Sequence, residues 1–333
     1  MDPDAVPDVD RIPHGGASDP SLLDFSANTN PERPSGVADV YDAAHRPATR
    51  YPDGDYPEYR TAAGEYLGCE PSTVVPTAGG IGALRLAFEV TLDASDRVLL
   101  PKPSFGEYAR EVRLQGADPT FVDHDRLLGT DPAGHEAVVV CNPNNPTGDA
   151  YPRADLVAYA EACRAADTLL VVDEAFLDFT DRPTLAGEPG VVVARSLTKV
   201  FGLPGLRMGF AAATGDLHDR LEAARPAWGL STPAAEVGAY CLGRTAFVAE
   251  TRDRVRRERR RMRDALDGAF DVHPSEAPFL LLETETEVED LVADARRAGI
   301  AIRDATTFRG LDSHVRVAVR RPAENDRLLD ALL

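Results

Sequence analysis

Between about residue 36 and residue 235, short β-branched runs alternate with stretches of helical length, and a chain with that rhythm has few ways to fold. The candidate strands are STVVPT (72–77), DRVLLP (96–101), DPTFVD (118–123), EAVVVCNP (136–143), TLLVVDEAF (168–176), GVVVARS (190–196) and RMGFAAA (207–213). Several are apolar without alternation, as expected of strands covered on both faces. Helices fit between them at 80–91, 104–115 and 153–166. The expected fold class is α/β, a mostly parallel sheet covered by helices.

After Pro233 the pattern changes. One long helix through about Gly268, a strand VHPSEAPFLLLET, a helix at 286–298, a strand HVRVAV and a terminal helix from Pro322 predict a smaller α+β domain over 236–333. Residues 1–35, with the short strand LLDFSA, are expected to pack against it, leaving 36–235 as the large domain and an active site in the crevice between the two. No internal repeat or low-complexity linker interrupts this plan.

Composition narrows the function. With 36 basic against 55 acidic residues, the net charge of -19 has the wrong sign for a nucleic-acid binder. No apolar run approaches the roughly 18 residues of a membrane span. Only two lysines occur, Lys102 and Lys199. An excess of aspartate with so little lysine predicts a halophilic chain, soluble through its charge in high salt. Cys69, Cys141, Cys163 and Cys241 neither pair as CxxC nor cluster with histidines, so no metal site and no disulfide framework is expected. The acidic opening MDPDAVPDVDRIPHGG lacks the marks of a secretory leader, which predicts a cytoplasmic enzyme with reduced thiols. The one basic block, TRDRVRRERRRMRD (251–264), reads as a solvated helix face paired with acidic neighbours.

The segment RSLTKVFGLPGLRMGF (195–210) carries one of the two lysines. Lys199, ending a buried strand among small and apolar residues, should have its charged form disfavoured and become a usable nucleophile. Ser196, Thr198 and Arg207 can converge on one anion beside that amine. An amine for an aldehyde and a cradle for a phosphate are what pyridoxal phosphate requires; a surface lysine reaching solvent is the alternative. Asp173 ends the strand of VVDEAF, where a carboxylate is costly to bury unless it meets a cation, as a protonated pyridine nitrogen would be; a capping aspartate is the plainer reading. In CNPNNPTG (141–148), Asn145 can donate to a ring oxygen while Pro143 and Pro146 fix the turn, although NPTG alone is only a turn signal. TAGGIGALRLAF (77–88) is a glycine-rich helix start suited to a phosphate. Phe105, in PSFGEY, can stack on a planar ring or sit in the core. All of these lie at the carboxyl ends of predicted strands, where open parallel sheets bind ligands.

Taken together, these segments resemble a fold-type I pyridoxal-phosphate enzyme of the class I/II aminotransferase superfamily, over about Asp24 to the C-terminus. The resemblance implies that Lys199 bonds the cofactor, that Arg207 binds its phosphate with Ser196 and Thr198, that Asp173 holds the ring nitrogen and that Asn145 holds the ring oxygen. It maps the glycine-rich start onto Gly79, Gly80 and Ile81, with Ile81 offering only its amide. Tyr51, in RYPDGDY, matches a tyrosine that reaches the neighbouring subunit's cofactor, which implies a homodimer with shared active sites.

Within the superfamily, two families resemble the chain most: the histidinol-phosphate aminotransferases and the threonine-phosphate decarboxylases of cobalamin biosynthesis. Three features lean to the decarboxylases, and with them to a small phosphorylated amino acid as substrate. HGG at 14–16 followed by LLDFSANTNP maps His14, Gly15 and Asn28 onto substrate-binding positions; on local grounds alone His14 reads as part of a tail. Phe176 stands where the aminotransferases usually have a tyrosine. GIAIRDATTFRGLDSHVRVAVR resembles the decarboxylase C-terminal segment, implying Arg316 for the substrate carboxylate, Arg303 for its phosphate and Arg309 as a further candidate.

Overall fold

The computed structural model describes residues 1–333. Its strands in chain order are β1 (Leu23–Asp24), β2 (Val74–Thr77), β3 (Arg97–Lys102), β4 (Asp118–Asp123), β5 (Ala137–Cys141), β6 (Leu169–Asp173), β7 (Val191–Ser196), β8 (Gly209–Ala212), β9 (Asp271–Val272), β10 (Phe279–Glu283), β11 (Ile300–Ala301), β12 (Arg303–Asp304) and β13 (His314–Ala318). The helices are α1 (Val37–Ala43), α2 (Pro57–Leu67), α3 (Gly80–Glu89), α4 (Glu107–Leu114), α5 (Arg153–Ala165), α6 (Leu197–Val200), α7 (Gly215–Ala224), α8 (Thr232–Leu242), α9 (Thr245–Leu266), α10 (Val288–Arg297) and α11 (Pro322–Leu332).

All seven predicted strands of the first part form one sheet, in the order β2-β8-β7-β6-β5-β3-β4. Neighbours from β7 through β4 are parallel, while β8 runs antiparallel to both β7 and β2. The reversal follows from chain length. Between Ser196 and Gly209 there is only the one-turn α6 and a short loop, too little for a crossover, so β8 folds back beside β7. Every residue of β5 and β7 is buried, which accounts for their unalternated valines.

The second sheet, β12-β13-β10-β9, is antiparallel. The N-terminal segment joins this side of the molecule: β1 pairs in parallel with β11, and the Ala318 amide donates to the Phe25 carbonyl at 2.9 Å.

Two sequence expectations need correction. The long helix after Pro233 is two helices, parted at Gly243 and Arg244; glycine is a poor residue for a helix interior and a good one for its end. The strand read through 272–284 is β9 and β10, because Pro274 and Pro278 withhold the amide donors that a continuous strand would use. The basic block behaves as expected. Thr251, Val255, Met262 and Leu266 face inward from α9, while Arg252 and Arg256 pair with Asp181 and Arg261 with Glu258 and Asp326.

Beneath the turn after β6 lies a buried charge cluster. Arg195 of β7, 2% exposed, pairs with Glu174 at 3.0 Å and with Asp178, and Asp178 also accepts from Tyr66 at 2.7 Å. Burial alone raises the Glu174 pKa, and the guanidinium opposes that rise. Removing one member of such a cluster strands the others in a dry environment. Arg195→Met is therefore expected to cost roughly 3–5 kcal/mol, read as a lower midpoint in urea unfolding at neutral pH. A midpoint equal to wild type would show that the two carboxylates find other partners.

Candidate functional site

The carboxyl ends of five strands of the large sheet, β2, β3, β5, β6 and β7, converge. Gly79 follows β2, Phe105 follows β3, Asn145 follows β5, Asp173 ends β6, and Ser196 ends β7 with Lys199 in the next turn. Asp173, Asn145, Ser196, Thr198, Arg207, Gly80, Ile81, Phe105, Phe176 and Lys199 all line one cavity of about 110 Å³. A second cavity, about 190 Å³, opens beside it and shares Ile81, Phe105, Asn145, Phe176 and Lys199. Its remaining walls include His14, Gly15 and Asn28 from the N-terminal segment and Arg303 and Arg316 from the second sheet. Residues far apart in sequence thus surround one amine.

Charge in this space is unbalanced. The combined lining holds Lys199, Arg207, Arg303 and Arg316, against Asp173 as its one carboxylate. Burial, with Arg316 and Arg207 adding repulsion, pushes the Lys199 amine down to about 8. Burial also lowers the Arg316 guanidinium. Arg316 donates through Nη1 to Asn145 Oδ1 and through Nη2 to the Ser26 carbonyl at 2.9 Å, while its Nε and the Oδ1 of Asn28 are buried without partners. The cations and the unpartnered Nε–H of Arg316 suit an anion, while the Asn28 oxygen awaits a donor.

Asp173 is buried, with its pKa raised by desolvation. It accepts from the Tyr108 hydroxyl at 2.7 Å and from the Ala175 amide at 2.9 Å, with no cation in contact. A fixed carboxylate in this state favours a cationic partner in the cavity. At the other end, Ser196 Oγ and Thr198 Oγ1 lie 2.8 Å apart, next to the start of α3. Gly79 has φ +82°, and a Cβ there would stand 2.8 Å from Arg207 Nη2, so glycine is what allows the guanidinium to approach the helix start. Gly79 underlies Arg207 and does not line the cavity itself. An amine, a carboxylate seeking a cation, and a cradle of hydroxyls, amides and a guanidinium therefore occur in the order that pyridoxal phosphate demands.

Two expected residues lie elsewhere. Tyr51 is 79% exposed, stacks on Trp228 at 4.4 Å and lines a separate cleft of about 600 Å³. Arg309 rests 4.2 Å above the ring of Phe121 and lines neither cavity, so its guanidinium is engaged by a π face rather than held free for an anion. Tyr108 escaped the sequence reading. It sits three residues past Phe105, and the 85° edge contact of their rings, 5.6 Å apart, turns its hydroxyl onto Asp173. The signal was present as PSFGEY, but nothing local tells a buried tyrosine's partner.

Comparison with known proteins shows the family and the fold. Residues 20–332 match the family model for aminotransferase class I and II. The chain is 32% identical to histidinol-phosphate aminotransferase 1 of Archaeoglobus fulgidus, over 93% of this chain and 98% of that protein. It is 33% identical to the threonine-phosphate decarboxylase of Salmonella typhimurium, over 95% of this chain and 92% of that protein. The solved structure of L-threonine-O-3-phosphate decarboxylase from Porphyromonas gingivalis superposes with a TM-score of 0.84 at 26% identity, over 92% of this chain and 97% of that one.

Proposed function

Because the chain belongs to the class I and II aminotransferase family, whose enzymes work with pyridoxal phosphate, we propose that it decarboxylates a small phosphorylated amino acid, L-threonine O-3-phosphate, to (R)-1-aminopropan-2-yl phosphate. The observation that carries this reading is the pair of anion anchors in one cavity. Arg316 lies beside Asn145, and Arg303, His14 and Asn28 line the rest of the same space. A substrate carrying a carboxylate and a phosphate on a three-carbon frame engages both anchors. Phe176 adds support, since it brings no hydroxyl to the cofactor ring.

When bound, pyridoxal phosphate supplies an aldehyde for the substrate amine and a protonated ring that accepts the electron pair released as a bond at the α-carbon breaks. The chain's residues do the rest. Lys199 holds the cofactor before substrate arrives and then stands as the nearest amine to donate a proton at the α-carbon. Asp173, fixed by Tyr108, keeps the ring nitrogen protonated. Arg207, Ser196, Thr198 and the amides of Gly80 and Ile81 would hold the cofactor phosphate, with Phe105 and Asn145 placed to hold its ring. Gly15 lets the N-terminal segment pack directly on the backbone at Ser26, because a Cβ there would stand 2.1 Å from the Ser26 carbonyl oxygen. With Arg316 on the carboxylate and Arg303, His14 and Asn28 on the phosphate, the α-carbon is oriented by its two ends, and orientation decides whether carbon dioxide or a proton leaves.

Near-equal identity to the Archaeoglobus aminotransferase supports a second reading, amino transfer from histidinol phosphate. One experiment separates them. The purified enzyme with pyridoxal phosphate is given O-phospho-L-threonine and followed for carbon dioxide and the amine phosphate; in parallel it is given histidinol phosphate with 2-oxoglutarate and followed for glutamate. Carbon dioxide release supports the decarboxylase, and glutamate without carbon dioxide replaces it with the aminotransferase.

The same reading makes the working enzyme a homodimer. The exposed Tyr51–Trp228 stack borders a cleft whose lining shares no residue with the walls around Lys199, a suitable seat for a second copy that would receive Tyr51. Sedimentation at twice 35.8 kDa supports this, and a monomer that retains full activity refutes it.

A further inference from the structure

The segment before β1 crosses the substrate cavity, held by a few polar contacts. Arg110 Nε donates to the Asp10 carbonyl at 3.2 Å, Arg303 Nη2 to the Pro13 carbonyl at 2.8 Å, and the Gly16 amide to Ser26 Oγ at 2.8 Å. Between them, His14 Nε2 lies 3.0 Å from Oε1 of Glu107, the first residue of α4. The Glu107 side chain is 7% exposed against 46% for His14, so the carboxylate is the fixed member of the pair. Arg110 braces its other oxygen at 3.2 Å and also reaches Glu111, which Arg85 grips through two bonds of 2.7 Å. The Phe105 ring, 5.7 Å away, flanks the imidazole.

This arrangement restricts what His14 can offer. With Nε2 given to a carboxylate, a neutral imidazole has only a lone pair at Nδ1 and repels a phosphate. Only the imidazolium donates from both nitrogens. We propose that Glu107 is a positioning residue for the substrate phosphate: it binds His14 through Nε2, so that His14 grips a dianion through Nδ1 and only when doubly protonated. The inference deepens the reading of the substrate given above and rests on it. Glu107 and, through Arg110, Glu111 face His14 from α4; Arg303, Arg316 and Lys199 face the same cavity from the other side. A dianion among these cations offsets their repulsion, which favours phosphate over a singly charged group.

Sulfate tests this without turnover, because it stays a dianion across the range in which an imidazole titrates. Its affinity for the holoenzyme is measured calorimetrically at about pH 6 and pH 8, for wild type, Glu107→Gln and His14→Ala. Wild type should bind about tenfold more tightly at the lower pH. Glu107→Gln should lose that dependence, because a glutamine amide can donate to Nε2 and leave Nδ1–H for the anion in the neutral ring. His14→Ala should bind weakly at both. Unaltered pH dependence in Glu107→Gln overturns the proposal, as does equal sulfate affinity of wild type at the two pH values. The cofactor's visible absorbance reports that each variant is folded and loaded. Absence of carbon dioxide from O-phosphothreonine, with the sulfate pattern intact, refutes the substrate and leaves the Glu107–His14 device standing.

Discussion

Lys199→Ala is expected to lower turnover by at least roughly 10⁴-fold, because a single amine is asked both to hold the cofactor and to move the proton at the α-carbon. No other amine can substitute. Lys102, the only other lysine, ends β3 and pairs with Asp123 at 3.4 Å. Borohydride reduction of the loaded enzyme followed by peptide mapping should find the label on Lys199, and a label on Lys102 would refute the assignment. The pH dependence has a definite sign. The Lys199 amine is pushed down to about 8, below the ordinary lysine value, so its reactive neutral form grows as pH rises through that point. Capture of pyridoxal phosphate by the apoprotein should accelerate about fivefold from about pH 7 to pH 8, reach about tenfold by about pH 9 and level off above it. A capture rate that is flat over this interval would mean that the amine is not the group being titrated.

The second large effect is at Asp173. Asp173→Asn keeps the shape and the Tyr108 contact but removes the charge that would hold a proton on the cofactor's ring nitrogen. A charge-assisted hydrogen bond of this kind is worth roughly 1.5–3 kcal/mol, so the maximal rate should fall by about 10- to 150-fold. Cofactor affinity should fall less, because Arg207, Ser196 and Thr198 still bind the phosphate. Tyr108→Phe should move the rate in the same direction by a smaller factor, since the hydroxyl acts through Asp173. An unchanged rate at saturating substrate in Asp173→Asn would exclude the role.

Much of this was legible in the sequence. The valine runs of β5, β6 and β7 carry no polar alternation because both faces are covered, and that local pattern alone marked them as buried strands. Once the strands were placed, Asn145, Asp173 and Lys199 had to emerge near one another, since each follows the carboxyl end of a neighbouring parallel strand. Gly79 and Arg207 could be matched to a phosphate cradle by the glycine-rich helix start and by the resemblance of the segment around Lys199.

Other features depended on partners that no local pattern encodes. Glu107 reads in sequence as an acidic residue complementing a helix start, and only the fold brings His14 to it across 93 residues. Arg195 reads as one more charge in a strand until Glu174 and Asp178 are seen around it. Tyr51 could be assigned to a neighbour's site by resemblance, yet its exposure and its stacking on Trp228 emerge only when the loops around residues 51 and 228 are packed side by side. The sequence alone determined the elements and the ends of the strands at which chemistry sits, because backbone conformation and burial follow from short-range spacing. The tertiary structure decided which charged and polar groups hold those residues in place, because such pairs join elements distant in the chain and depend on packing rather than on periodicity.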